Sequence, residues 1–300
     1  MTMPNFLIIG TAKSGTTALY NYLKQHPQVY VSPVKEPKFF AYEGEKLDFR
    51  GPGDRVANSS VVTDIEAYRA LFAKASGETV LGEASPLYLY IPKARERIRH
   101  YVPEAKLIAI LRNPAERAYS HFSQMVRDGR EPLDDFSQAL GAEEERVRDN
   151  WAFGWHYKRM GFYHAQLERY FDVFGREQIK VYLYEDLKTD PVGVLREIFR
   201  FLGVDDAFVP DMSLKHNVSG IPKSQALHAF IRQSHPIKSV FKPFVPEGLR
   251  LRLKTSLRNR NLRQPPPLSP EVRKELAEAY REDILRLQGL IRRDLSTWLK

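Results

Sequence analysis

Apolar residues come in short blocks, closed by Gly, Pro or polar punctuation and followed by residues at helical spacing. Four blocks, Phe6–Ile9, Val80–Leu81, Lys106–Leu111 and Ile179–Tyr184, read as strands buried on both faces, because they run unbroken rather than alternating. After the first, the spacing predicts a helix from about Thr16 to Gln25 that buries Leu19, Tyr22 and Leu23 and stops before Pro27. After the third, Arg112-Asn113-Pro114-Ala115-Glu116 places Asn at the N-cap, Pro at the first helical position and Glu at the third. That helix should run through His121 to about Val126. A further helix follows Asp190-Pro191, with Leu195, Ile198, Phe199 and Leu202 on one face and Gly203 as its stop. The last, after Pro270, spaces Leu276, Tyr280, Ile284, Leu287 and Ile291 by threes and fours, so that one stripe packs on the rest. Strands alternating with helices predict an α/β fold of three layers, a central parallel sheet flanked by helices.

Two segments break this rhythm. Residues 128–150 are acidic and polar and read as a surface excursion. Residues 238–263 hold eight Lys or Arg against the single acid Glu247. A solvated helix is the plain reading of that stretch; contact with an anionic acceptor or a membrane surface is the functional one. Length, at 300 residues, allows two domains, but a single α/β core is expected. The chain is read as one domain, 1–300, with variable insertions around 41–75, 128–160 and 238–263.

Composition narrows the class. No apolar run approaches the roughly 18–20 residues that span a bilayer, and Phe6–Ile9 is too short and lacks the basic flank of a signal peptide. The absence of cysteine removes disulfides, thiolate metal sites and thiol nucleophiles, and the cytoplasm is the expected compartment. A net charge of +9 favours anionic ligands.

The candidate chemistry begins where the first strand ends. Gly10-Thr11-Ala12-Lys13-Ser14-Gly15-Thr16-Thr17 is a Gly/Ser/Thr turn opening a helix, a ready site for a phosphate. In the nucleotide loop G-x-x-x-x-G-K-[ST] the lysine follows the second glycine. Here Thr16 stands there, and the lysine is Lys13, inside the loop. A structural turn is the bland alternative. A second feature argues against it: Arg112 closes a buried strand and Ser120 lies about two helical turns on, a guanidinium fork and a hydroxyl suited to a second phosphate at the same sheet edge.

On these residues the chain resembles the sulfotransferases. T-A-K-S-G-T-T is similar to their 5′-phosphosulfate loop and L-R-N-P-A-E-R-A-Y-S-H-F to their 3′-phosphate segment. K-E-P-K-F-F at 35–40, G-E-A-S-P-L-Y at 82–88, G-F-Y-H-A-Q-L-E-R-Y at 161–170 and Y-E-D-L at 184–187 follow in the family's order. The pattern is nearer to bacterial and heparan-sulfate-type enzymes than to the cytosolic phenol and steroid enzymes. The resemblance implies a P-loop-like fold and the donor 3′-phosphoadenosine 5′-phosphosulfate (PAPS), with no metal. It implies that Lys13 neutralises the leaving bridging oxygen and that Ser14, Gly15, Thr16 and Thr17 hold the 5′-phosphate. Arg112 and Ser120 would hold the 3′-phosphate. The loop 216–224 falls where the family closes over the nucleotide, with Ser219 and Lys223 as its candidate contacts.

For the base that takes the acceptor's proton, the resemblance implies Glu36, through the E-x-x-F-F pattern of the heparan-sulfate type. Its bland alternative is a loop carboxylate paired to Lys35 or Lys38, and His121 is the rival base. Ala84 stands where heparan-sulfate-type enzymes carry a lysine, which weakens the case for a polysaccharide acceptor. Glu83, Ser85 and Tyr88 are then either acceptor-side groups or part of a buried turn. The aromatic run from Trp151 to Tyr157 either lines an acceptor pocket or packs in the core. The acceptor itself, a small molecule, lipid or glycan bearing a hydroxyl or amine, is not legible, nor is the oligomeric state. Two other classes compete. A P-loop kinase or NTPase requires lysine at position 16 and a strand-closing aspartate for Mg²⁺. A basic nucleic-acid-binding module rests on charge alone, with no binding motif to support it, and nucleic acid is not the expected partner.

Overall fold

The computed structural model describes residues 2–213, 220–222 and 262–300. Ser219, Lys223 and the basic stretch 238–263, apart from its last two residues, lie outside them.

Five strands form one parallel sheet in the order β2-β3-β1-β4-β5, with β1 at Phe6–Gly10, β2 at Val29–Val31, β3 at Val80–Ala84, β4 at Lys106–Leu111 and β5 at Ile179–Leu183. The strands read from the sequence are all present. Leu7, Ile9, Leu107, Ala109 and Leu111 join the core on one face, and Phe6, Ile8, Ile108 and Ile110 join the core on the other. Both faces are covered by helices, which is why these strands carry no polar alternation. The edge strand β2 escaped the sequence reading: only Val29-Tyr30-Val31 pair, opposite Val80-Leu81-Gly82. A three-residue strand offers no periodicity to detect. β3 also runs past its apolar block through Gly82-Glu83-Ala84, all buried.

The helices match their sequence signals closely. Thr16–Leu23 follows the first loop, ending two residues early, with Tyr20 rather than Tyr22 buried and its hydroxyl donating to Ser32 O at 2.7 Å. Asn113 caps the Pro114–Arg127 helix by accepting from the Ala115 and Glu116 N–H groups. Pro191–Leu202 stops at Gly203, and Pro270–Ile291 packs its Leu276, Tyr280, Ile284 and Leu287 stripe on the core. No described helix is long and apolar enough to cross a membrane.

Residues 128–150 differ from the surface excursion expected. They contain short helices at Phe136–Gly141 and Glu143–Arg148, and Glu131, Glu143 and Arg146 are buried. Arg146 grips Glu131 with both terminal nitrogens, at 2.7 and 2.9 Å, and the Tyr157 hydroxyl donates to the same carboxylate at 2.6 Å. Paired charges of this kind look solvated in a sequence, because the pairing is tertiary. The segment is also tied to the 41–75 insertion through Asp54, which is buried and accepts from Arg130 and from the Ala152 N–H.

Candidate active site

Because the strands are parallel, their C-terminal ends share one edge of the sheet. Across it, in spatial order, the chain leaving β2 carries Glu36, that leaving β3 carries Ser85, that leaving β1 carries the Lys13 loop, and those leaving β4 and β5 carry Arg112 and Tyr184. The chain fills one half of the sheet and then crosses β1 to fill the other, and such a switch point opens a crevice beyond the strand ends.

The loop after β1 is held from below. The Thr11 N–H donates to Ile110 O at 2.8 Å, the Thr11 and Ser14 hydroxyls meet at 2.6 Å, and the Ser14 N–H donates to Thr11 O at 3.3 Å. Ser14 is therefore turned inward and fully buried. Gly15 turns the chain into the helix at φ 90°, where a Cβ would stand 3.0 Å from Leu187 Cδ2. Both facts require glycine. The leading N–H groups from Gly15 to Thr17 have no preceding helical carbonyl to bond, leaving donors and the positive helix end for an anion. Lys13 has φ 72°. Burial, followed by the Arg127 and Arg112 charges, lowers its pKa to about 8, while Asp128 and Glu36 pull the other way.

Lys13, Arg112 and Ser120 line one cleft of about 320 Å³, together with Arg127, Tyr184 and Arg273. Arg112 Nη1 donates to Lys13 O at 3.3 Å, and its guanidinium lies 4.9 Å from the Tyr184 ring centroid. Glu116 is shared by Arg112 at 3.6 Å and Arg273 at 2.5 Å. One carboxylate between two guanidiniums, beside Lys13 and Arg127, leaves the cleft cationic. Arg127 and Arg273 were missed in the sequence. Arg127 had a signal, since it stands seven residues after Ser120 and thus on the same helical face. Arg273 had none, because it arrives from the C-terminal helix.

Glu36 does not line that cleft; it reaches Lys13 from the β2 side. Its N–H donates to Ala84 O at 3.1 Å, and its carboxylate is 2.6 Å from Lys35 Nζ and 3.9 Å from Lys38 Nζ. Partial burial works to raise its pKa, but the Lys35, Lys38 and Lys13 charges outweigh that and hold it below the usual carboxylate range. Glu36 and Lys38 both have left-handed backbone, at φ 59° and 58°. That conformation costs roughly 1–2 kcal/mol per non-glycine residue, and such costs gather at functional sites.

The rival base is His121. It is buried, its ring lies edge-on to Tyr157 at 5.8 Å, and its Nδ1 has no hydrogen-bond partner among the described residues. Burial, then the Arg117 and Lys13 charges, keep its pKa well below the usual histidine value. Glu83 is fully buried, and burial pushes its pKa up to about 7 against hydrogen bonds from Tyr88, Ser85 and Tyr68. The buried-turn alternative therefore holds for Glu83. Of the aromatic run, Trp155 and Tyr157 are core, whereas Phe153 is half-buried with Lys38 Nζ 4.9 Å from its ring centroid.

A profile described as the sulfotransferase family matches residues 4–208. This chain belongs to the sulfotransferase family. The crystal structure of a sulfotransferase from Alicyclobacillus acidocaldarius superimposes over the whole of both chains with a TM-score of 0.79 and 37% identity. The human bifunctional heparan sulfate N-deacetylase/N-sulfotransferase 3 is 28% identical over 99% of this chain, which covers 31% of that protein. The chain thus spans about a third of the length of this enzyme and of two similar mouse N-deacetylase/N-sulfotransferases. A mouse sulfotransferase complexed with PAP shares the fold, with a TM-score of 0.50 and 16% identity over 96% of this chain and 86% of that one. The sulfotransferase is therefore an enzyme of the P-loop-like α/β class, of bacterial type and nearer to the heparan-sulfate enzymes.

Proposed function

We propose that this sulfotransferase moves a sulfuryl group from PAPS to a hydroxyl or amine, with Glu36 as the base and the 1–300 chain acting as one domain. The observation that carries the reading is the position of Lys13. It stands between a cationic cleft containing Arg112 and Ser120 and the carboxylate of Glu36. A donor with two separated phosphates fits that cleft. The 5′-phosphate would sit on the N–H groups of Gly15 to Thr17 and the Thr16 and Thr17 hydroxyls, and the 3′-phosphate on Arg112 and Ser120, with Arg127 close by.

In the transfer, the acceptor oxygen or nitrogen bonds to sulfur as the bond from sulfur to the 5′-phosphate oxygen breaks. The acceptor proton passes to Glu36, and the electron pair stays on the leaving oxygen. Lys13 stabilises the charge growing there, the kind of fixed electrostatic help that is worth most in a dry site. The lysines around Glu36 keep it ionised and ready to accept a proton. The acceptor side is formed by the β2 loop and the mutually tied 41–75 and 128–160 segments. A glycan amine is one candidate acceptor, suggested by the N-sulfotransferase named among the relatives; a lipid or small-molecule alcohol is another. The enzyme is expected to work in the cytoplasm.

Thermal shift tests the donor. 3′,5′-ADP should raise the melting temperature in the presence of EDTA, and Lys13→Ala should remove most of that rise. Stabilisation by Mg-ATP with no response to 3′,5′-ADP would replace this reading with a kinase.

A further inference from the structure

The loop that carries Glu36 hangs from a buried carboxylate that the reaction itself does not use. Glu83 lies at the end of β3 with no exposed surface. Its Oε2 accepts from the Ser85 hydroxyl at 2.8 Å, its Oε1 accepts from Tyr68 at 3.4 Å, and Tyr88 also hydrogen-bonds to it. Two of these hydroxyls are acceptors in their turn. Ser85 Oγ accepts the Lys38 N–H at 3.0 Å, and the Tyr88 hydroxyl accepts the Phe40 N–H at 3.4 Å. With the Glu36 N–H on Ala84 O at 3.1 Å, residues 36, 38 and 40 are each tied by their backbone to the end of β3 or the turn after it.

A hydroxyl that donates to a carboxyl oxygen has its lone pairs turned toward its other neighbours, ready to accept from them. Glu83 thus orients Ser85 and Tyr88 to receive two N–H groups of the Glu36 loop. That is the demand set by left-handed backbone at Glu36 and Lys38, which reverts to extended backbone unless its neighbours hold it.

We infer that Glu83 is a positioning residue, acting through Ser85 and Tyr88 to fix the loop that presents Glu36 to the acceptor. The inference rests on Glu36 being the base. Misplacing a base by about 1 Å costs on the order of 10²-fold in rate without weakening donor binding. Glutamine at 83 keeps one accepting oxygen but turns an amide donor toward hydroxyls that are already donors, so the clamp loosens.

The test compares Glu83→Gln, Ser85→Ala, Ser85→Thr and Glu36→Gln in the full chain. The rate is read as release of inorganic sulfate from PAPS with water as acceptor. Water oxygen bonds to sulfur, the bond to the 5′-phosphate oxygen breaks, and the water proton passes to Glu36. Glu83→Gln and Ser85→Ala should lower this rate roughly 10- to 100-fold and speed hydrogen exchange at the Lys38 N–H roughly tenfold. Affinity for 3′,5′-ADP should stay within about twofold of the parent, and Ser85→Thr, which keeps the hydroxyl, should restore the rate. In a Glu36→Gln background, Glu83→Gln should add no further loss. An inactive Glu36→Gln beside fully active Glu83→Gln and Ser85→Ala overturns the positioning role alone. A parallel loss of nucleotide affinity in both variants also overturns it, by showing general damage. A fully active Glu36→Gln overturns the assignment of the base, and this inference with it.

Discussion

Lys13 is the residue at which burial and charge meet most directly. Its pKa of about 8, against 10.5 for a free lysine, means that the folded protein holds fewer protons than the unfolded chain between those values. Stability of the nucleotide-free enzyme should therefore rise with pH across that window, as the cost of burying the charged form disappears. Nucleotide affinity should move the opposite way. A phosphate needs the protonated lysine, so 3′,5′-ADP binding should be flat below pH 8 and weaken above it, approaching roughly tenfold per pH unit. Calorimetry in buffers of different ionisation heat would also register the proton taken up. Lys13→Arg should carry the alkaline fall out of range, because a guanidinium stays charged. An unchanged fall in Lys13→Ala would assign the titration to another group. The misplaced lysine of the loop was plain in the sequence. Its depressed pKa was not, because burial is set by tertiary packing around the loop, and Arg112 and Arg127 come from a strand end and a helix about a hundred residues away.

At the scale of elements, the local signals were legible and the long-range ones were not. Asn113-Pro114 announced its helix because a cap is a matter of adjacent residues. Residues 128–150 read as solvated because acidic and basic letters are the same whether paired or free. Glu131 illustrates the difference. Removing its carboxylate in Glu131→Ala would leave Arg146 buried, with the rings of Trp151 and Trp155 as its neighbours at 5.2 and 5.0 Å. The expected loss is about 3–5 kcal/mol, read by chemical denaturation, whereas a solvated carboxylate would cost well under 1 kcal/mol. Glu83 makes the same point on β3. The sequence left it either an acceptor-side group or part of a buried turn, and only the turn after β3 shows which hydroxyls satisfy it.

For the whole molecule, the sheet order decides what the motifs mean together. Lys13, Arg112 and Ser120 are separated by up to 107 positions of chain, yet they line one cleft. Charge over the whole protein points to anionic ligands without naming one. A mass-spectrometric search for products that gain a sulfo group when labelled PAPS is added to cell extracts should find an acceptor whose sulfation is lost in Glu36→Gln. De-N-sulfated heparan sulfate is the direct test of a glycan amine. Retention on DNA or RNA that survives loss of both Lys13 and Arg112 would instead support a nucleic-acid-binding role.

The sequence by itself determined the α/β alternation, the Gly/Ser/Thr loop with its lysine at 13, and the Arg112 and Ser120 segment. Each of these is written within one strand, turn and helix, where neighbouring residues dictate backbone geometry. Tertiary structure alone decided that Arg127 and Arg273 share the cleft, that His121 is buried beside Tyr157, and that the hydroxyl Glu83 binds also holds the Lys38 N–H. Those facts depend on which strand ends lie side by side, and that order is fixed by packing on the two faces of the sheet rather than by any local run of residues.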